Sequence, residues 1–588
     1  MNKLNLGHYI KKYAFMYVLA ILAISASTVL DMLAPLIVQH IVDDVLIAKN
    51  LAPLKLLIGG IALIGIGRCI FQYSKEFICD WCGSKIASEV RINLFQKIQS
   101  LSANFFDGIN SGELMSRVKD DVDRIWDIAA FMGILMVEVF LRVITTMYFM
   151  FRINIWLSII PILGMFITAF IAIKMEKQLD ELFGQSAQKS SELNNCAAEN
   201  LAGVRTVKAF AREGFEINKF HKHNQRFYEI NIDLSRVFVK YNPIIQVITR
   251  LLTVITLLIG GLFVIKGNPI AAGAKITVGE LMALLGYVGG IVWPMEMLGW
   301  LSNGFSSAKA SIKRLNKIYA QMPDIEEKSE LKELADEDVS SALFTPEDIS
   351  GEISFENVSY KAGDRNILNN VSFNIGAGQT LGIMGATGSG KTTIINLLKR
   401  MYDVSEGVIK IDGVDIRKLP LPVLRKSVAC VMQDIFLFSD TIDGNIRLGA
   451  KETLTTEEVV LALHNSHAEE FVDKMELKEQ TVIGERGVGL SGGQKQRITI
   501  ARALARKTPI LVLDDSTSAL DTETEQEIQG VLAELKGMTK IIIGHRISAV
   551  RKADKILVLD NGKVAEMGTH DELLALKGLY YETYKSQY

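Results

Sequence analysis

Six apolar stretches, each close to the ~20 residues that an α-helix needs to cross a bilayer, crowd into the first 305 positions of this 588-residue chain. They run roughly over residues 13–37, 56–73, 128–151, 155–173, 244–265 and 281–300, and nothing of that kind follows. A single stretch could be a buried core helix. Six in series cannot, so this half reads as an α-helical membrane domain of six long transmembrane helices. The mean hydropathy of +0.23 fits a chain only part of which is membrane-embedded. The first apolar run is too long for a signal peptide and ends without a small-residue cleavage site. Residues 4–13 read instead as a short amphipathic helix on the cytoplasmic surface.

Between the spans, loop lengths alternate. The connections after spans one, three and five are short; those after spans two and four are long, and the second of these, residues 174–241, carries eleven Lys or Arg. Basic residues near membrane ends favour the cytoplasmic side, so the long segments and both termini are expected inside the cell, in the plasma membrane. Residues 84–98 and 179–200 keep helical periodicity with almost no Gly or Pro. The spans should therefore continue as helices into the cytoplasm and turn around at short connecting helices near 105–113 and 209–215. Lys plus Arg is 64 and Asp plus Glu is 66, a formal net charge of −2, which gives no sign of a nucleic-acid partner. Five cysteines exclude a disulfide scaffold. Cys79 and Cys82 form a lone C-x-x-C and read as helix-packing residues rather than a metal or redox site.

An acidic linker is expected at 321–350, between a membrane domain at 1–320 and an α/β domain at 351–588, where short β-branched runs alternate with helical ones. There Gly385-Ala-Thr-Gly-Ser-Gly-Lys391-Thr392 follows an apolar strand and opens a helix, the context in which G-x-x-x-x-G-K-[ST] wraps a phosphate. Backbone N–H groups from Gly385, Thr387, Gly388, Ser389 and Gly390 and the helix start at Thr392 and Thr393 would face the anion. Lys391 supplies a point charge to the β- and γ-phosphates, and the Thr392 hydroxyl a ligand for Mg²⁺. Residues 510–514 form an apolar strand ending in Asp514, which suits Mg²⁺, and Asp515 stands where a base for the attacking water would sit. ATP and Mg²⁺ are the expected cofactors.

Between these elements stands Leu490-Ser-Gly-Gly-Gln494, and with it the chain resembles the ATP-binding-cassette proteins. Tyr360 matches the aromatic that stacks adenine, Gln433 the glutamine before the helical subdomain and a further Mg²⁺ contact, and His545 the switch histidine; Ser518-Ala-Leu-Asp521 also fits. Six spans ahead of one cassette resemble the exporter-type half-transporters: a helical membrane domain followed by an α/β P-loop ATPase domain with a helical subdomain. The resemblance implies a head-to-tail dimer in which Ser491, Gly492, Gly493 and Gln494 of one cassette face the nucleotide of the other. It also implies that the two cytoplasmic turns transmit cassette movement.

One departure stands out. The family's residue after the Mg²⁺ carboxylate is Glu, and here it is Asp515, shorter by about 1.5 Å, when a base must lie within about 2.6–3.2 Å of its proton. Either the backbone shifts and Asp515 still works, or this is the weakened site of a heterodimer, resembling the degenerate-site subunit of heterodimeric multidrug exporters; the second is preferred, with a homodimer as the alternative. Charged groups within the spans, Arg68, Glu138, Arg142, Arg250 and Glu296, should face a cavity or a partner. Glu138 and Arg142, four apart, could pair with each other. Glu296, Trp293, Arg68 and Arg250 are the candidate substrate contacts, with Tyr287 nearby. The expected function is ATP-driven export of hydrophobic or amphipathic compounds, of multidrug or lipid type. The alternatives are an exporter-fold importer of metal–chelator complexes and a nucleotide-binding regulator or ATP-gated channel.

Overall fold

The computed structural model describes residues 3–267, 275–325, 348–448, 454–484, 487–517 and 519–588. Most of the acidic linker, Ser518 and the side chain of Glu296 lie outside them. Contacts divide the chain into two compact units, Met1–Leu101 with Ile109–Met322, and Ser102–Gly108 with Pro323–Tyr588.

The named elements of the first unit are all helices among the described residues. Helix α1 (Leu6–Lys12) is followed by α2 (Ala14–His40), which widens into a π-helical turn over Ile41–Ile47. Helix α3 (Leu54–Gln99) runs 46 residues, about 69 Å at 1.5 Å per residue. The chain then passes through α4 (Ala103–Asp107) in the second unit and returns as α5 (Ser111–Ser116), α6 (Val122–Trp126) and α7 (Gly133–Ile153), joined by π-helical turns. Helices α8 (Ile155–Ala202), α9 (Val204–Ala209), α10 (Glu213–Lys266) and α11 (Val278–Tyr319) complete the unit. Among the described residues, five segments are long and apolar enough to span a membrane: Ala14–Ile47, Leu54–Gln99, Ser111–Ile153, Ile155–Ala202 and Glu213–Lys266. The expected sixth span lies on α11, whose apolar part among the described residues, Val278–Gly290, is shorter.

The lengths follow from composition. Apolar side chains such as Leu56, Leu63, Phe170 and Ile265 stay exposed on the spans, as they can where lipid replaces water as the solvent. Helices α3 and α8 then run on from the apolar stretch into a polar one with no Pro between. The turns fall at Ser100–Ser102 and at Gly203, so the connecting helices are α4 and α9. The second lies some residues before the expected 209–215, because Gly203 ends α8 and Ala211, at φ 49°, already turns the chain toward α10. Helix α1 does not merely lie on a surface. Tyr9 is buried, Leu4 N–H donates to Asn316 Oδ1 at 2.7 Å, and Lys12 and Tyr13 both donate to Glu89.

Close helix approach is set by small residues. A Cβ on Gly83 would sit 2.4 Å from that of Ala130. Cys79 and Cys82 are fully buried free thiols on the same face of α3, and Cys79 packs with Ala20, Ile24 and Ile134. Tyr287 belongs to the core rather than to a ligand surface: it is 1% exposed, donates to Met32 O at 2.6 Å and stacks on Phe149.

Among the described residues the second unit has two sheets. An antiparallel one orders β2 (Arg365–Ile375), β1 (Ile353–Ala362), β4 (Glu406–Ile411) and β5 (Val414–Asp415). The larger orders β10 (Lys563–Gly568), β9 (Lys555–Asp560), β3 (Thr380–Gly385), β8 (Thr539–Ile543), β7 (Ile510–Asp514) and β6 (Val428–Val431), with β9 to β6 parallel and β10 antiparallel. Strands β7 and β8 are buried at every position, as near-continuous apolar runs in a doubly covered parallel sheet must be. The helical segments 442–446, 456–465 and 492–505 share a separate apolar core of Leu437, Ile442, Val459, Leu463 and Ile498.

Candidate functional site

Ligand sites of open parallel sheets lie beyond the carboxyl ends of the strands. The neighbours β3, β8 and β7 end at Gly385, Ile543 and Asp514. That register brings the loop 385–391, His545 and the pair Asp514–Asp515 side by side, with Gln433 exposed just past the adjacent β6.

The loop needs its glycines. Gly385 sits at φ +148°, where a Cβ would fall 2.2 Å from Leu559 O, and Gly390 at φ +101°, where one would fall 2.6 Å from Leu368 Cδ2. Gly390 caps the helix Lys391–Leu398. Lys391 is 7% exposed and its ammonium folds back onto Gly385 O and Ala386 O at 2.8 and 2.9 Å. Burial lowers its pKa from the usual lysine value, against the opposing pull of Asp514 and Asp515. Thr387 and Gly388 are exposed, Thr392 and Thr393 half-buried, and Ser389 buried.

Asp514 is 2% exposed. Burial, first, and the charge of Asp515 raise its pKa, while the Thr392 hydrogen bond, Lys391 and His545 work the other way. Asp514 Oδ2 and Ser389 Oγ are buried without a hydrogen-bond partner among the described residues. A buried carboxylate oxygen left unsatisfied beside a hydroxyl is costly unless something else occupies it. An all-oxygen donor set of Asp514 and Thr392 suits a hard divalent cation, and Mg²⁺ fits it.

Asp515 is half-buried in the left-handed region at φ 48°. Its N–H donates to Ile543 O at 3.0 Å, and its carbonyl accepts from Gln496 Nε2 at 3.2 Å. Gln496 was not singled out from the sequence. It is buried on the helix Gly492–Ala505, and its Oε1 also accepts from Ala519 N–H. It thereby joins the signature helix to the segment after β7. Ser491 caps that helix in a reciprocal pair with Gln494; Ser491 and Gly492 are exposed, and Gly493 and Gln494 half-buried.

Tyr360 lies on β1, 9% exposed, with the ring of Tyr402 tilted 36° against it at 5.6 Å. The Tyr402 hydroxyl donates to Asp107 of α4 at 2.9 Å, and Asn104, Asp107, Tyr360, Tyr402 and Ser405 border a cavity of about 490 Å³. Neither Tyr402 nor Asp107 was singled out; a lone Tyr past the P-loop helix gives no periodic signal.

The expected substrate residues separate. Arg68 bonds Asp31, which also bonds Arg142, and Trp293 covers Arg142, whereas Arg250 lies exposed on α10. The expected pairing of Glu138 with Arg142 does not form. Glu138 accepts from Lys75 at 3.2 Å, and Arg142 pairs with Asp31. Groups of opposite charge on neighbouring helices, Lys75 for Glu138 and Asp31 for Arg142, are closer partners than the i,i+4 residue because α2, α3 and α7 pack together here.

A membrane-embedded helical unit joined to a P-loop ATPase unit defines an ATP-driven membrane transporter. The family model for the ABC transporter transmembrane region matches residues 17–295, and that for the ABC transporter matches residues 368–518. The chain is 33% identical to the ABC transporter ATP-binding protein YknU of Bacillus subtilis (strain 168), over 99% of this chain and 97% of that one. It is also 33% identical to the ATP-dependent lipid A-core flippase of Desulfotalea psychrophila, over 99% of each. A bacterial Atm1-family ABC exporter with ATP bound superposes with a TM-score of 0.80 at 26% identity, over 98% of each chain. The chain belongs to the ABC exporters, as a half-transporter with one membrane region and one ATPase domain.

Proposed function

We propose that this half-transporter exports hydrophobic or amphipathic compounds across the plasma membrane as one half of a head-to-tail dimer, and that its own ATP site is slow. The observation that carries the second part is the backbone of Asp515. It is anchored at both its N–H and its carbonyl, so it cannot advance to make up the methylene that Asp lacks relative to Glu. A base about 1 Å out of place loses ~10²-fold in rate.

In this reading Tyr360 stacks adenine, the loop 385–391 and Lys391 hold the phosphates, and Thr392, Gln433 and Asp514 hold Mg²⁺. Bound there, Mg²⁺ would neutralise charge on the β- and γ-phosphates. Asp515 orients the water weakly, and His545 contacts the γ-phosphate side of the site. Ser491, Gly492 and Gly493 serve the nucleotide of the partner, a second and preferably different half-transporter. The ATPase unit and both termini are cytoplasmic, as the Lys and Arg bias of the long segments suggests, with domain limits at 1–320, 321–350 and 351–588. The lipid A-core flippases among the relatives and the ATP-bound exporter of the same fold support the direction and the amphipathic cargo.

Purifying the full chain in lipid, alone and with a candidate partner half-transporter, tests this. Hydrolysis of Mg-ATP should be low alone and high in the mixture, and Asp515→Asn should barely change the mixture. Rapid hydrolysis by the chain alone, abolished by Asp515→Asn, would instead establish a homodimer with a working Asp base.

A further inference from the structure

The peptide that carries His545 is held from a helix outside the nucleotide site. Strand β8 ends at Ile543, and Gly544, His545 and Arg546 link it to a short helix, Ile547–Val550. A helix start leaves its first N–H groups without partners inside the helix, and Arg546 gives this one no side-chain cap. Gln587 supplies the partner from a distance. Its Oε1 accepts from Ile547 N–H at 2.8 Å, and its Nε2 donates to His545 O at 2.7 Å. Both halves of one amide are used, one on each side of Arg546. A carboxylate in its place would offer acceptors alone.

The helix that carries Gln587, Leu579–Gln587, is itself fixed. At its start the Glu566 carboxylate, on β10, accepts from the N–H groups of Leu579 and Tyr580. Tyr580 is buried in the core that also holds Met384, Ile547 and Val558, and its hydroxyl bonds His570 Nδ1 at 2.7 Å. Gln587 lies seven residues on, two turns and about 10 Å along the same helix face. The anchored Tyr580 therefore aims Gln587 at the link after β8.

A second tie reaches the link through a side chain. Arg546 Nη1 donates to Glu525 Oε2 at 3.2 Å, and the buried Glu525 accepts from the Thr517 hydroxyl at 3.1 Å. Thr517 stands two residues past Asp515. The backbone on either side of Arg546 is thus held by Gln587, and its side chain by the segment that follows the candidate base. Close packing does not fix His545 in addition. It is exposed, and with Met384, Gly385, Ala386, Leu559 and Thr583 it borders a cavity of about 310 Å³. Protein interiors keep their parts in place by dense packing; a peptide beside open space depends on its hydrogen bonds.

We infer that Gln587 is a positioning residue for ATP hydrolysis: its amide holds the peptide of His545 so that the imidazole meets the γ-phosphate side of the nucleotide. This rests on the reading of His545 given above. A group displaced by about 1 Å can lose ~10²-fold in rate. The loop 385–391 and Tyr360, which hold ATP in that reading, stay where they are.

The full chain in nanodiscs is compared as wild type, Gln587→Ala, Gln587→Glu, His545→Ala and the double variant Gln587→Ala/His545→Ala. Deuterium exchange of the nucleotide-free protein reads the tie itself. Single-turnover hydrolysis of radiolabelled Mg-ATP at pH 8, with protein in excess, follows even a slow site, and ATP affinity is measured alongside. Gln587→Ala should speed exchange at the Ile547 amide roughly tenfold, with β7 and β8 unchanged. It should slow hydrolysis roughly tenfold or more and leave the Kd for ATP within about twofold. Gln587→Glu matches the native side chain in size but sets an acceptor against His545 O, so it should be about as slow, which lost packing would not produce. In the double variant Gln587→Ala should add little to His545→Ala, because both act through one group.

Unchanged exchange at Ile547, a wild-type rate in Gln587→Glu, weakened ATP binding that accounts for the slowing, or additive effects in the double variant overturns the inference and leaves the reading of His545 standing. A wild-type rate in His545→Ala removes that reading, and the inference falls with it.

Discussion

Replacing Asp515 by Glu should make this cassette a faster ATPase. The substitution adds one methylene, about 1.5 Å of reach, to a side chain whose backbone is fixed by Ile543 O at 3.0 Å and Gln496 Nε2 at 3.2 Å. If the shortfall is near 1 Å, the rate now lost is ~10²-fold, and Asp515→Glu should recover roughly ten- to a hundred-fold at this site. A cost accompanies the gain. Asp515 sits at φ 48°, which Asp tolerates better than longer side chains and which disfavours an ordinary L-residue by roughly 1–2 kcal/mol. The variant should thus be faster and slightly less stable. The assay is steady-state Mg-ATP hydrolysis by the full chain in nanodiscs, for wild type, Asp515→Glu and Asp515→Asn. If Asp515→Glu gains nothing while Asp515→Asn removes all hydrolysis, Asp515 already reaches the water and the reasoning fails.

Lys391 should lose its proton below the usual lysine value of 10.5, because burial disfavours its charge in the nucleotide-free protein. ATP affinity measured from neutral pH upward should therefore begin to fall before that value is reached, and Lys391→Ala should remove the effect together with most of the binding. The folded protein holds a proton on Asp514 more readily than the unfolded chain, so the ionised carboxylate costs stability above the ordinary value of 3.8. Asp514→Asn should leave the nucleotide-free protein as stable or more so in thermal unfolding, while protection by Mg-ATP, about 2.7 kcal/mol at a hundredfold excess over Kd, is lost. Gly83→Val should loosen α3 from the segment around Ala130, where even a Cβ falls 2.4 Å from its neighbour; overpacking of this kind costs about 1–3 kcal/mol, read as a lower unfolding temperature with nucleotide binding intact.

What could be read in advance was local. The loop from Gly385 to Thr392 announces itself because a phosphate cradle demands glycine at particular backbone angles, and Gly385 and Gly390 indeed sit where a Cβ would collide. The continuation of α3 and α8 beyond the bilayer was legible for the same reason, since helical periodicity is a property of neighbouring residues. Partners distant in sequence were not legible. Glu138 and Arg142 satisfy the i,i+4 rule, yet each pairs with a residue on another helix, 63 and 111 positions away. Asp31 was overlooked although an acidic residue inside the first span is itself a signal. Gln496 and Tyr402 carry no motif, and only the fold brings them to Asp515 and Tyr360. The second turn falls before the expected 209–215 because Gly203 already ends α8, and a single glycine within a helical pattern does not fix where the helix stops.

The most direct test of ATP-driven export is vectorial movement in proteoliposomes. The full chain, with its partner where one is needed, would be reconstituted with a fluorescent acidic lipid analogue, and Mg-ATP added on the side of the ATPase unit. The account predicts net movement away from that side, against a gradient, abolished by Lys391→Ala. Movement only down a gradient, or equal movement in Lys391→Ala, would contradict it.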